Sequence, residues 1–152
     1  MASASYQVFW SWALKRYESH PLRDCLLALQ ESCGLVVVEA LVFAWLAEQG
    51  RQLSAAQAQS MEETIAPWVE NIVLPLRRQR VKWSNNHETS LLRREALRLE
   101  LESEKTLAEL LCNSLAPPVT DAARHSYQGN LSLITSLSSS DDLNLLIAAF
   151  EQ

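Results

Sequence analysis

Two oppositely charged side chains stand where apolar ones would be expected. Glu39 is the single acid in the run Leu35-Val-Val-Val-Glu-Ala-Leu-Val-Phe-Ala-Trp-Leu-Ala47, which is otherwise apolar in every register. A carboxylate carried inside by such a helix must be neutralised by a proton or by a cation. At about 100° per residue, Leu35, Val36, Val42, Phe43 and Leu46 fall within about 60° of Glu39, so the bulky face of the helix carries it. The Ala44/Glu48 side is then the one expected to meet solvent. In the next long apolar stripe, Val69, Val73, Leu76 and Trp83 enclose Arg80, with Arg77 beside it. The chemistry this suggests is an internal ion pair, Glu39 with Arg80, or with Arg77 as the alternative. Two other roles remain open for Glu39. It could reach water near the helix start and answer the helix dipole, or it could be a functional carboxylate with a raised pKa in a cleft.

A second constellation is basic. Residues 77–98 hold seven Lys/Arg against two Asp/Glu, while residues 1–76 hold four against eight and residues 99–152 two against eight. The members are Arg77, Arg78, Arg80, Lys82, Arg93, Arg94 and Arg98, with Trp83 among them. Such a block could grip phosphates while Trp83 stacks on a base. The arginines point to several sides of one helix, however, and the chain carries a net charge of -5. Pairing with the acidic flanks is therefore the favoured reading, and nucleic-acid binding the weaker one.

Catalytic constellations are missing. His20, His87 and His125 are not spaced from one another or from cysteine as metal ligands usually are, so no metal site is expected. Three glycines in the chain leave no room for a Gly-rich phosphate loop, and no nucleophile elbow occurs. No catalytic residue and no cofactor are assigned. Cys25, Cys33 and Cys112 are odd in number and form no close pair, which points to a reducing, cytoplasmic compartment.

The elements that position these residues are helical. With 152 residues the chain is long enough to bury a core, and 48% hydrophobic against 20% charged is globular composition. The first residues lack the pattern of a secretory signal, and the 35–47 run is shorter than the roughly 20 residues that cross a bilayer. Tyr6, Phe9, Trp10, Ala13, Leu14 and Tyr17 make one helical stripe. Val8 and Trp12 lie off it, and are read either as a second buried side or as a contact patch for a partner. Pro21 opens a second helix that ends at Gly34, and the central helix follows, to Gly50. Ser54 with Gln57 forms a capping box for a fourth, in which Pro75 is expected to leave a kink. A fifth helix, about 88–114, carries one apolar line of Leu97, Leu101, Ala108, Leu111 and Leu115 and a second of Leu99, Leu107 and Leu110. Beyond Pro117-Pro118, a helix from Thr120 to about Leu137 and a last one through Phe150, opened by Asp141 and Asp142, are expected.

The ordered series Phe9-Trp10-x-Trp12-Ala-Leu14-x-x-Tyr17, Cys25-Leu26-x-x-Leu29-Gln30-x-x-x-Gly34, Trp45-Leu46-Ala47-x-x-Gly50 and Trp68…Pro75-Leu76-Arg77-x-x-Arg80 resembles an uncharacterised proteobacterial family of small helical cytoplasmic proteins. The likeness covers about residues 6–83. That family has no assigned activity, so the resemblance implies fold and compartment rather than function. It also implies an Asp-Val-Asn element at the start of the central helix, where this chain has Val36-Val37-Val38. Asp141-Asp142-Leu-Asn144 faintly resembles the aspartate-rich motif of all-helical isoprenoid enzymes, without that motif's second acidic member.

The expectation is an all-α, single-domain bundle of five to seven helices around the 35–49 helix. Residues 1–116 form the core and 117–152 dock on it. The leading functional expectation is a non-enzymatic, cytoplasmic, bacterial protein that presents a helical face to a protein partner. The alternative is a small-molecule or lipid-binding bundle, which requires an apolar cavity of about 300 Å3 or more with Glu39 or Arg80 on its wall. Partner identity and oligomeric state are not encoded in any motif.

Overall fold

The computed structural model describes residues 4–115 and 126–152. The described residues are helical throughout, with no strand, and form one bundle. Helix α1 spans Ala4–Tyr17, α2 His20–Cys33, α3 Val37–Glu48, α4 Ala55–Trp68, α5 Leu74–Lys82, α6 Ser90–Asn113, α7 Tyr127–Leu131 and α8 Ser140–Glu151. Seven helices result when α4 and α5 are taken as one rod, because a π-helical turn, Val69–Val73, joins them without a break.

Local signals set most boundaries. Pro21 sits in the first turn of α2, and Gly34 closes that helix at φ 74°, a left-handed value that glycine adopts freely. Ser54 Oγ accepts the Gln57 N–H at 3.1 Å while Gln57 Oε1 accepts the Ser54 N–H at 2.8 Å, a complete capping box. Pro75 enters the first turn of α5 directly after the π-turn. The wider turn accommodates a residue that cannot donate to the preceding ladder.

Helix α3 is the axis of the bundle. Every residue from Val38 to Ala47 is buried, Glu39 included. α1, α2, α6 and α7 all pack on it. The Ala44 side, expected to be wet, is instead covered by α7, and Ala44 is fully buried. The device that holds α7 there is Asn130, itself fully buried. Its Nδ2 donates to the carbonyls of Phe43 at 3.1 Å and Arg51 at 2.9 Å, and its Oδ1 accepts the Leu53 N–H at 2.8 Å. One amide thus satisfies three backbone groups where α3 ends, groups that would be costly to bury unpaired.

The helix expected from Thr120 to Leu137 is shortened. Its start lies outside the described residues, and helix is present over Tyr127–Leu131 only, with turns from there to Ser139. Ile134 and Leu137 nevertheless enter the core with Leu146 and Phe150 of α8, so residues 127–151 share the hydrophobic interior of the helices before them.

Helix α6 differs from the expected pattern in which face it buries. Ala96, Glu100, Ser103, Leu107, Ala108 and Leu111 form its inner face. Small residues at 96 and 103 let α5 and the π-turn approach closely, and Leu97, Leu99 and Leu101 are left half exposed. The expected apolar lines hold at Leu107, Ala108 and Leu111 and fail at Leu97, Leu99 and Leu101, where Ala96, Glu100 and Ser103 face inward instead.

Candidate functional site

The half-exposed leucines of α6 do not simply face solvent. Leu97 and Leu101 form one wall of a groove of about 560 Å3, and Leu14 and Leu27, from α1 and α2, form the opposite side. Phe9, Val38 and Leu41 make its floor, with Trp10 and Tyr17 on the α1 flank. Leu14 is 55% exposed and Leu97 45%, so the apolar surface is open rather than sealed. α1 contributes the buried Phe9 and Ala13 and α6 the buried Leu107, Ala108 and Leu111 to the core around α3, while Leu14, Leu97 and Leu101 are left along the gap between them. Contiguous exposed apolar surface of this kind marks binding sites in soluble proteins.

Charged side chains are interleaved with the leucines along α6. Arg80, Arg94 and Arg98 line the groove together with Glu100 and Glu104. Arg80 Nε meets Glu100 Oε2 at 2.7 Å, Arg77 Nε meets Glu100 Oε1 at 3.1 Å, and Arg77 Nη2 reaches Glu104 Oε1 at 3.4 Å. Glu100 is buried and receives two guanidinium groups, a charge-assisted arrangement that satisfies both oxygens. The hydrogen bond that Arg80 donates to Glu100 raises the pKa of Arg80, and burial followed by the neighbouring Glu100 raises that of Glu104.

The expected Glu39–Arg80 pair is therefore not what the fold builds. α5 and α6 form an antiparallel hairpin, which turns both Arg77 and Arg80 toward Glu100. Glu39 sits in the first turn of α3 on the other side of the bundle, near α4. It is 3% exposed, and no ion pair or hydrogen bond to its carboxylate forms among the described residues. Burial, and then the charge of Glu62, push its pKa up to about 8. Glu100 is the partner that sequence reasoning missed. A usable signal was present, since Ala96, Glu100, Ser103 and Leu107 recur at three- and four-residue steps on a small-residue stripe.

The remaining candidates separate clearly. Trp12 is not a free contact residue: its Nε1 donates to Glu48 Oε1 at 3.3 Å, and its ring packs beside Phe9. Tyr127 donates to the other oxygen of Glu48 at 3.0 Å, so the two aromatics close one end of α3. Val8 is exposed. Of the basic segment, Arg77 and Arg80 are held by Glu100, Arg98 by Glu95 at 2.6 Å, and Arg93 donates to Ser84 Oγ at 3.3 Å. Arg78, Lys82 and Arg94 form no ion pair among the described residues. Arg93 and Arg94 line one surface cleft with Trp83, and Arg80, Arg94 and Arg98 line the groove. Asp141 and Asp142 occupy the first turn of α8, where Ser139 Oγ accepts the Asp142 N–H at 3.4 Å, a capping arrangement.

Comparison with known proteins sets these features in a family. The model of the family described as "Protein of unknown function (DUF2390)" matches residues 8–111. The chain belongs to that family. The matched region runs from α1 through almost all of α6, so it contains every wall of the groove and the Arg77–Arg80–Glu100 cluster, while α7 and α8 lie beyond it. No curated protein and no solved structure matches the chain. Among the described residues no helix is long and apolar enough to cross a membrane.

Proposed function

We propose that this member of the DUF2390 family is a non-enzymatic interaction protein of the bacterial cytoplasm whose α1–α2–α6 groove receives an amphipathic helix of a protein partner. The observation that carries the reading is the open groove itself, with Leu14, Leu27, Leu97 and Leu101 half exposed on facing walls. Leu97 and Leu101 are one helical turn apart, the spacing that accepts the i and i+4 anchors of a docked helix. Arg94, without an ion pair among the described residues, stands beside Leu97 and suits an acidic residue flanking those anchors. The three free cysteines are in keeping with a reducing compartment.

A second reading is supported by the groove's size. A volume of about 560 Å3 lies within the range of small-molecule sites, roughly 300–1,000 Å3. A long-chain carboxylate could lie along the leucines with its head toward Arg94 and Arg98. One pair of experiments separates the two. Affinity purification is run from native cells with the wild type, Leu97→Asp and Arg94→Glu, and the wild type is extracted and analysed by mass spectrometry for co-purified amphiphiles. A partner lost with Leu97→Asp, and held with weakened salt dependence by Arg94→Glu, supports helix docking. A stoichiometric extracted acid supports the second reading. Recovery of neither overturns both.

A further inference from the structure

On the far side of α3 from the groove lies a smaller pocket of about 230 Å3. Val36, Ile65, Ala66 and Val69 make its apolar walls, and Thr135 and Ser136 close it from the segment after α7. Three acids face it, each from a different element: Glu39 from α3, Glu62 from α4 and Glu70 from the π-turn. No Lys, Arg or His is among the residues that line it.

The three carboxylates are not equivalent. Glu70 is exposed to water. Glu62 is held in place, one oxygen accepting the Thr135 N–H at 3.1 Å and the other the Thr135 hydroxyl at 2.9 Å. Glu39 is almost wholly buried, its carboxylate oxygens keep only slight access through the pocket, and they form no hydrogen bond or ion pair among the described residues. A side chain of that kind normally finds a hydrogen bond or a counter-charge. What would supply both is a cation entering the pocket.

Its chemistry can be narrowed. Among the described residues no three acidic, His or Cys side chains stand close enough to chelate a metal ion, so a larger organic cation suits the site. The pocket has room for several water-sized groups. The walls are half apolar. These requirements describe a short alkyl chain ending in an ammonium group.

We propose that the pocket between the start of α3 and α4 binds a primary alkylammonium group, with Glu39 as its counter-ion and Glu62 as a second, fixed acceptor. The source is either a free amine or a lysine side chain, which present the same chemistry. The empty pocket keeps Glu39 protonated at neutral pH, because burial and Glu62 raise its pKa to about 8. Binding therefore converts a carboxylic acid and an ammonium ion into a carboxylate–ammonium pair and releases one proton to solvent. Affinity rises by up to tenfold per pH unit below about pH 8 and levels off above it. The ammonium itself, with a lysine-like pKa of about 10.4, stays charged throughout.

The test is calorimetric titration of the full chain at pH 6, 7 and 8 with n-butylammonium chloride and, separately, with Nα-acetyl-lysine N-methylamide. The expected result is saturable binding that tightens about tenfold from pH 6 to 7, with a heat that varies with the ionisation enthalpy of the buffer as one released proton requires. Glu39→Gln, which keeps the shape of the side chain, should weaken binding at pH 8 at least tenfold and abolish proton release. Ala66→Phe should block the pocket while leaving Glu39 in place. Binding of n-butylammonium alone identifies a free amine as the ligand class, and binding of both probes identifies lysine side chains as well. Absence of saturable binding by either probe at pH 8, or binding indifferent to pH and to Glu39→Gln, overturns the proposal.

Discussion

Glu39 and Glu100 are buried to nearly the same degree, 3% and 5% exposed, and each lies on the inner face of its helix. Their surroundings differ completely. Glu100 receives Arg77 and Arg80 from the facing helix of a hairpin, so it stays paired and both arginines are oriented by it. Glu39 meets apolar walls and two further acids, and takes up a proton instead. Burial by itself therefore says little about what a carboxylate does. A buried acid tied to two cations holds two helices together, whereas one left without a cation stores unfavourable free energy that a ligand can relieve.

The sharpest way to break this contrast is to remove Glu100. Glu100→Ala leaves two half-buried guanidinium groups without their shared partner, and should lower stability by about 3–5 kcal/mol in urea denaturation. A loss below about 1 kcal/mol would mean that water solvates the arginines and that the pair is not structural. Asn130 supplies an uncharged standard for the same comparison. Asn130→Ala orphans the Leu53 N–H and takes a donor from the Arg51 and Phe43 carbonyls, and should cost about 1–3 kcal/mol by the same measurement, with increased amide exchange at Leu53.

Glu39 should behave in the opposite sense. Its folded-state pKa, about 8, lies above the unfolded value of 4.5. The folded chain therefore holds one more proton than the unfolded chain between these values. The stabilisation is complete below about pH 4.5 and is lost as pH rises through about 8. Glu39→Gln should remove that slope, so the difference between the two proteins should change by about 3–4 kcal/mol from pH 4.5 to pH 7.5, in favour of the variant at the higher pH. Parallel pH profiles for the two proteins would show that Glu39 is ionised and solvated. The smallest effect is expected at the surface pair Arg98–Glu95, both of whose side chains are more than half exposed. Arg98→Ala should leave the denaturation midpoint unchanged within error, and a clear loss would show that this part of the groove is more ordered than its exposure indicates.

Much of the fold was legible because short-range physics writes it into local pattern. The capping box at Ser54, the proline and glycine that bracket α2, and the all-round apolar run of α3 each need only neighbouring residues to be recognised. Burial of Glu39 was legible for the same reason. Its partner was not. Arg80 and Glu39 were a sensible match on helical wheels, but a wheel gives the side of a helix on which a residue lies and not the helix it faces. Pairing α5 with α6 is a decision of chain topology, and it assigned both arginines to Glu100. The inner face of the first half of α6, Ala96, Glu100 and Ser103, was missed on similar grounds, while Leu107, Ala108 and Leu111 were legible. Leucines mark an apolar stripe, but a close crossing selects small residues, and those at 96 and 103 turned Leu97 and Leu101 outward into the groove.

The amino-acid order by itself determined that the chain forms helices, where most of them start, and that α3 must lie at the centre, because hydrogen-bond caps and apolar periodicity act over a few residues. Tertiary structure alone decided which buried charge is paired, how α7 locks onto α3 through Asn130, and that an apolar groove and an acidic pocket open on opposite sides of one helix. Those outcomes depend on how close two helices come and at what angle, and that distance is set by the whole packing rather than by any one segment.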